Sequence, residues 1–181
     1  LKQQEFPGLF AEEVIEPRPR ADVVMELGQD AYLPRDYVSN ATERFDIYKR
    51  LYNCERDEEI DEIEYELLDR FGRLPEEADN IFFSVRVRLI AARIRLSRVT
   101  LEDGTVNMAL PPEDDAAFYD HNFQPLMQWV QSNKHRALMK HDQRQVRILV
   151  REMHTAADVQ ALLVDMERAV LAGEATESAH A

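Results

Sequence analysis

Apolar positions along this chain recur at two spacings, and the changes between them divide it into elements. Val23, Met25 and Leu27 alternate with Val24 and Glu26, the period of a short strand, and Gly28 ends the run. Pro34 then marks an extended or turn segment. From residue 45 the spacing becomes helical, through Phe45, Tyr48, Leu51 and Tyr52. Ser39 or Asn40 is placed to cap this first helix, with Glu43 three residues after Asn40. Its aromatic side, Phe45, Tyr48 and Tyr52, is expected to face the core. Residues 56–71 predict a second helix with Ile60, Ile63, Leu67 and Phe71 on one side. Gly72 is expected in the left-handed conformation after its last turn. Pro75 suits the first turn of a third helix, over about 75–97, whose apolar face runs through Ala78, Ile81, Phe82, Val85, Leu89 and Ile90.

Alternation returns at residue 98. The stretch RVTLEDGTVNMAL predicts two strands around a turn at Asp103–Gly104. A helix follows from about 113 to 132, and Pro125 inside it is expected to kink or split it. RALMKH and QVRILVRE alternate as strands, joined near Asp142–Gln143. Val159, Leu162, Leu163, Met166 and Val170 lie on one side of a last helix over about 155–171. The order of elements predicts an α+β domain over 21–172, a small mainly antiparallel sheet covered by helices, with an N-terminal three-helix segment. Residues 1–20, punctuated by Pro7, Gly8, Pro17 and Pro19, read as a linker, and 173–181 as a frayed tail.

Charge narrows the function. The 181 residues carry a net charge of −13. Such a chain repels a phosphate backbone, so direct nucleic-acid binding is not expected, whereas a basic protein surface is a suitable partner. A single cysteine, Cys54, excludes an intrachain disulfide. No signal-peptide pattern or membrane-length apolar run is present, so a cytoplasmic setting is expected. The chain begins with Leu1, as expected of a piece of a longer protein.

The carboxylates concentrate on the second helix. Glu55, Glu62, Glu66, Asp69 and Arg73 fall opposite its apolar side, flanked by Glu58 and Glu59. An outward face supplies no cleft to separate the pKa values of a catalytic pair, and the bland alternative is a solvated surface. No EF-hand loop, HExxH pair or phosphate-binding glycine motif can be written, so no catalytic, cofactor or metal residues are assigned. A small stand-alone acidic hydrolase or metal enzyme is the alternative of a different class. It would require carboxylates converging in a cleft. Arg86, Arg88, Arg93, Arg95 and Arg98, and the C-terminal Lys134, Arg136, Lys140, Arg144, Arg147 and Arg151, lack an interleaved aromatic platform for nucleic acid. They are expected to lie over apolar surface or pair with the acidic helices.

Two stretches carry a resemblance. AYLPRDYVSNATERFDIYKRL contains Leu33-Pro34, Tyr37, Arg44 and Tyr48-Lys49-Arg50, and EIEYELLDRFGRLPEEADNIF contains Glu66-Leu67-Leu68-Asp69-Arg70-Phe71-Gly72 and Leu74-Pro75. In order and spacing they resemble the C-terminal domain of the bacterial transcription-repair coupling factor family, Mfd, over residues 23–97. The resemblance implies a large parent that engages stalled RNA polymerase and translocates on upstream duplex DNA. ATP and Mg would be used in motor domains preceding residues 1–20. The parent would displace the polymerase and recruit UvrA. It further implies that this domain is a non-catalytic regulator that docks on the N-terminal UvrA-binding module and masks it. Glu66 and Asp69 match family positions facing basic residues of that module, with Glu62 and Arg73 as weaker candidates. The extra acids Asp57, Glu58, Glu59 and Asp61 depart from the family pattern.

Overall fold

In a computed structural model, residues 23–142 and 145–178 are described. Three helices come first after a short strand: β1 (Val24–Glu26), α1 (Ala41–Asn53), α2 (Asp57–Phe71) and α3 (Glu76–Arg93). A hairpin follows, β2 (Arg98–Glu102) and β3 (Thr105–Ala109), then α4 (Ala116–His121) and α5 (Phe123–Ser132). β4 (Ala137–Asp142), β5 (Gln145–Arg151) and α6 (Ala156–Ser178) complete the domain. The sheet order is β1-β2-β3-β5-β4; β1 pairs with β2 in parallel and every other pair is antiparallel. A parallel neighbour needs a long crossover, and α1–α3 form it.

Two buried clusters result, and α3 belongs to both. Leu33, Val38, Ile47, Leu51, Ile60, Ile63 and Leu67 pack with Ala78, Ile81, Phe82 and Leu89 of α3 in the N-terminal cluster. Val87, Ile90, Ala91 and Ile94 instead join one face of the sheet and α4–α6 in the larger cluster. Strand alternation aims Val99, Leu101, Val106, Met108, Ile148 and Val150 at these helices.

Local chemistry accounts for most boundaries. The Asn40 side chain accepts from the backbone N–H groups of Thr42 and Glu43, capping α1. Asp103 and Gly104 both have positive φ, 48° and 69°, as a tight hairpin turn requires. The expected helix over 113–132 is split at Asn122, one turn before Pro125, whose ring cannot sit against the carbonyl four residues earlier. Pro75 stands at the N-cap of α3 rather than in its first turn. The helix ends at Arg93, short of the expected 97, because Arg95 takes a φ of 62°. The backbone N–H of Leu96 then donates to the Ala91 carbonyl, closing a Schellman-type end. α6 runs to Ser178, through part of the stretch expected as a tail. The expected linker over 1–20 lies outside the described residues, as do residues 143, 144 and 179–181.

One expectation about α1 is overturned. Phe45 is 67 % exposed and Tyr52 60 %, and Tyr48 is also exposed; Ile47 and Leu51 are the buried pair. Two of the three rings meet polar partners instead. The Tyr48 hydroxyl accepts from the Leu33 N–H at 2.6 Å, and the Arg88 guanidinium lies 5.6 Å from the centre of the Tyr52 ring. Two aliphatic side chains one turn apart suffice for the core-facing side.

Candidate functional site

The candidate surface is the outer side of α2, and three sets of side chains hold that helix in place. At its C-terminal end, the Tyr37 hydroxyl lies 3.1 Å from the Leu67 carbonyl and 3.0 Å from the Gly72 carbonyl, sharing its proton between them. Its ring packs on Phe71 at 5.7 Å. Gly72 has φ 82° and ψ −160°, positive as expected but extended in ψ rather than left-handed helical. At the N-terminal end, the Glu59 carboxylate accepts from the Glu55 N–H at 2.8 Å, which holds it below the usual carboxylate range. Along the flank toward α3, Arg86 donates to Asp61 at 2.7 Å and Glu64 at 2.6 Å, and Arg93 to Asp57 at 3.0 Å. Asp57, Glu59 and Asp61, three of the four acids beyond the family pattern, therefore tie α2 to its surroundings, whereas Glu58 forms no ion pair among the described residues.

Glu66 and Asp69 differ in their surroundings. Glu66 lies in the seam between α1 and α2, bound to Arg50 at 2.7 Å and to Arg70 at 3.0 Å. Arg70 also meets Glu43 of α1, completing an alternating arrangement of two arginines and two glutamates. The Arg50 hydrogen bond, reinforced by Arg70, holds the Glu66 carboxyl below its ordinary pKa. These groups line an open polar hollow of about 450 Å³ with Asn40, Thr42, Asp46 and Ile47. Asp69 is exposed and forms no ion pair among the described residues; Glu62 and Arg73 are exposed as well. The helical wheel placed all four together, whereas the structure sets Glu66 into the seam.

Sequence reasoning passed over several residues. Tyr65 is 72 % exposed on the outer side of α2, and Leu68 is exposed near it. Their signal was available: both are apolar, yet neither falls on the Ile60–Ile63–Leu67 face. The motif residues Arg44 and Arg50, and Arg88 of α3, are structural. Arg44 donates to the Val38 and Ser39 carbonyls at 2.6 and 2.9 Å, and Arg88 to those of Leu51, Tyr52 and Cys54 at the end of α1. Cys54 is buried, and burial raises its thiol pKa. Among the described residues, no group of three or more His, Cys, Asp or Glu side chains is placed to hold a metal ion, and no helix is long and apolar enough to cross a membrane.

The model of the TRCF domain matches residues 27–120, which span α1–α3, the hairpin and most of α4. The chain belongs to the TRCF-domain family. It is 32 % identical over 85 residues to the transcription-repair-coupling factor of Buchnera aphidicola, covering 47 % of this chain and 10 % of that protein. With the protein of the same name from Staphylococcus haemolyticus it shares 39 % identity over 70 residues, 39 % of this chain and 6 % of the relative. With that of Haemophilus influenzae it shares 35 % over 99 residues, 55 % of this chain and 8 % of the relative. The chain thus spans about a tenth or less of the length of these TRCF relatives. Its fold matches a crystal structure of the C-terminal domain of transcription-repair coupling factor, with a TM-score of 0.70 at 18 % identity, over 84 % of this chain and 94 % of that one.

Proposed function

We propose that this TRCF domain is the non-catalytic regulatory C-terminal domain of a bacterial, cytoplasmic ATP-dependent DNA translocase that displaces stalled RNA polymerase and recruits UvrA for transcription-coupled repair. In this reading the outer side of α2 docks on the N-terminal UvrA-binding module of the same protein. It masks the UvrA surface and restrains the motor. ATP and Mg act in other domains of the parent, and duplex DNA is gripped there and not by this chain.

The observation that carries the proposal is Asp69, an exposed carboxylate that forms no ion pair among the described residues, next to exposed Tyr65 and Leu68 on α2. An anchor of apolar side chains rimmed by acids suits a basic partner with an apolar recess. Glu66 contributes negative potential to the same surface while remaining bound to Arg50 and Arg70. The acidic-enzyme alternative gains no support, because most α2 carboxylates with described partners face arginines and no cleft collects them.

Calorimetric titration of this chain with the separately produced UvrA-binding module tests the proposal. Asp69→Arg should weaken binding at least tenfold, a loss of about 1.4 kcal/mol, and added salt should weaken the unaltered pair. In the full-length protein the same substitution should raise UvrA affinity. Unchanged affinities in both experiments, with the variant folded by circular dichroism, would rule the proposal out.

A further inference from the structure

The sheet has a second face, and no described element covers it. Along β4 and β5 this face is built of three cross-strand steps. Lys140 stands opposite Arg147, Leu138 opposite Leu149, and the Arg151 N–H donates to the Arg136 carbonyl. Two cations, two leucines and two cations follow one another, with Thr100 and Asn107 continuing the leucine row across β2 and β3. Like charges placed directly opposite on neighbouring strands destabilise a sheet.

Two observations show that this cost is not offset inside the described structure. Arg50, Arg70, Arg86 and Arg93 of the helices each meet a carboxylate. Arg136, Lys140, Arg147 and Arg151 form no ion pair among the described residues, in a chain with 35 acids. Moreover, the Nε atoms of Arg136 and Arg147 are shielded from solvent without a hydrogen-bond partner. An unmade bond to a donor of a charged group adds to the cost of this arrangement. Acids lie at the margins of the face: Glu26 is bound to Arg98, Glu102 ends β2, and Asp142 ends β4.

We propose that this face is an interaction surface for an acidic amphipathic helix of a partner polypeptide. Steps of two residues along a strand are about 6.7 Å apart, close to the rise of about 6 Å over four residues of a helix. A helix with an apolar residue flanked by acids four residues away on either side therefore sets its apolar side chain on Leu138 and Leu149. Its carboxylates then reach the two pairs of cations. A nucleic-acid strand fits less well, because the leucine row interrupts the cations and no aromatic ring on the face offers a base a stacking platform. This inference does not rest on the docking role of α2.

The test uses the 181-residue chain and an alanine-based helical peptide with leucine flanked by glutamate at four residues on each side. A lysine-for-glutamate peptide and a single-stranded oligonucleotide serve as competitors. NMR titration should shift the methyl signals of Leu138 and Leu149 with the acidic peptide and not with the lysine peptide. The double variant Arg147→Glu, Arg151→Glu should weaken that binding at least tenfold; it retains the fold, because an acid opposite Lys140 relieves repulsion. The separate variant Lys140→Gln, Arg136→Gln should weaken it in the same direction. Absence of shifts, shifts unaffected by both variants, or tighter binding of the oligonucleotide than of the acidic peptide would each overturn the proposal.

Discussion

At the residue scale, Glu66 and Asp69 separate most clearly. Glu66 is bound by two arginines, one from another helix, so its loss should be felt in stability. Partly exposed pairs of this kind contribute about 0.2–1 kcal/mol each. Glu66→Gln should therefore lower the unfolding free energy at pH 7 by up to about 1 kcal/mol, whereas Asp69→Asn should stay within about 0.5 kcal/mol. Urea denaturation measures both. The folded-state pKa of Glu66 is depressed, so its contribution is fully present above the unfolded value of about 4.3. It disappears as pH falls through the lower folded value. The difference between the native chain and Glu66→Gln should consequently vanish in acid. Gly72 is a second test at this scale. Its positive φ with extended ψ is poorly accessible to other residues, and Gly72→Ala should cost about 1–3 kcal/mol, even though a Cβ there would meet no atom within 4 Å.

At the element scale, α5 and α6 show how packing reverses a propensity. Gly173 lies within α6, where alanine would ordinarily be favoured by about 1 kcal/mol. A Cβ at Gly173 would stand 2.5 Å from Cγ of Pro125, a rigid ring in α5. Gly173→Ala should therefore lower the melting temperature, opposite in sign to the propensity, and calorimetry measures it. Pro125 thus has two consequences, the break between α4 and α5 and the close approach of α6. Only the first was legible from the sequence, because the break acts within one segment and the approach joins residues 48 positions apart. The Asp103–Gly104 hairpin, the Asn40 cap and the glycine stop at 72 were legible for the same reason: each is settled by residues adjacent in the chain.

At the scale of the whole molecule, α3 couples the two clusters. Phe82 is fully buried in the N-terminal cluster, and Trp129, whose Nε1–H donates to Asp165 at 2.7 Å, reports on the C-terminal one. Because both clusters share one helix, Phe82→Ala should shift the unfolding transition seen by Trp129 fluorescence by about 3–5 kcal/mol. The fluorescence transition should coincide with that from far-ultraviolet circular dichroism, as two-state unfolding requires. Separate transitions would show that the three-helix segment unfolds independently. The α2 surface and the open sheet face belong to different clusters, so cooperative unfolding would bind the two proposed interaction surfaces into one unit.

By itself the sequence determined the α+β class, the element order and the outward turn of the α2 carboxylates, because helix and strand periods are properties of short segments. It also carried the family, through motif residues whose work proves largely structural: Tyr37, Arg44 and Tyr48 brace the loop before α1 against α1 and α2. Tertiary structure alone decided which stripe of α1 is buried, since hydrophobicity ranks faces but neighbouring helices choose among them. It likewise drew Glu66 toward Arg50 while leaving Asp69 exposed, although both lie outward on an isolated helix. The alignment of Lys140 with Arg147 and of Leu138 with Leu149 depends on strand register. Register is set by the packing of the opposite face, so a basic sheet surface on an acidic chain emerges only when the strands are paired.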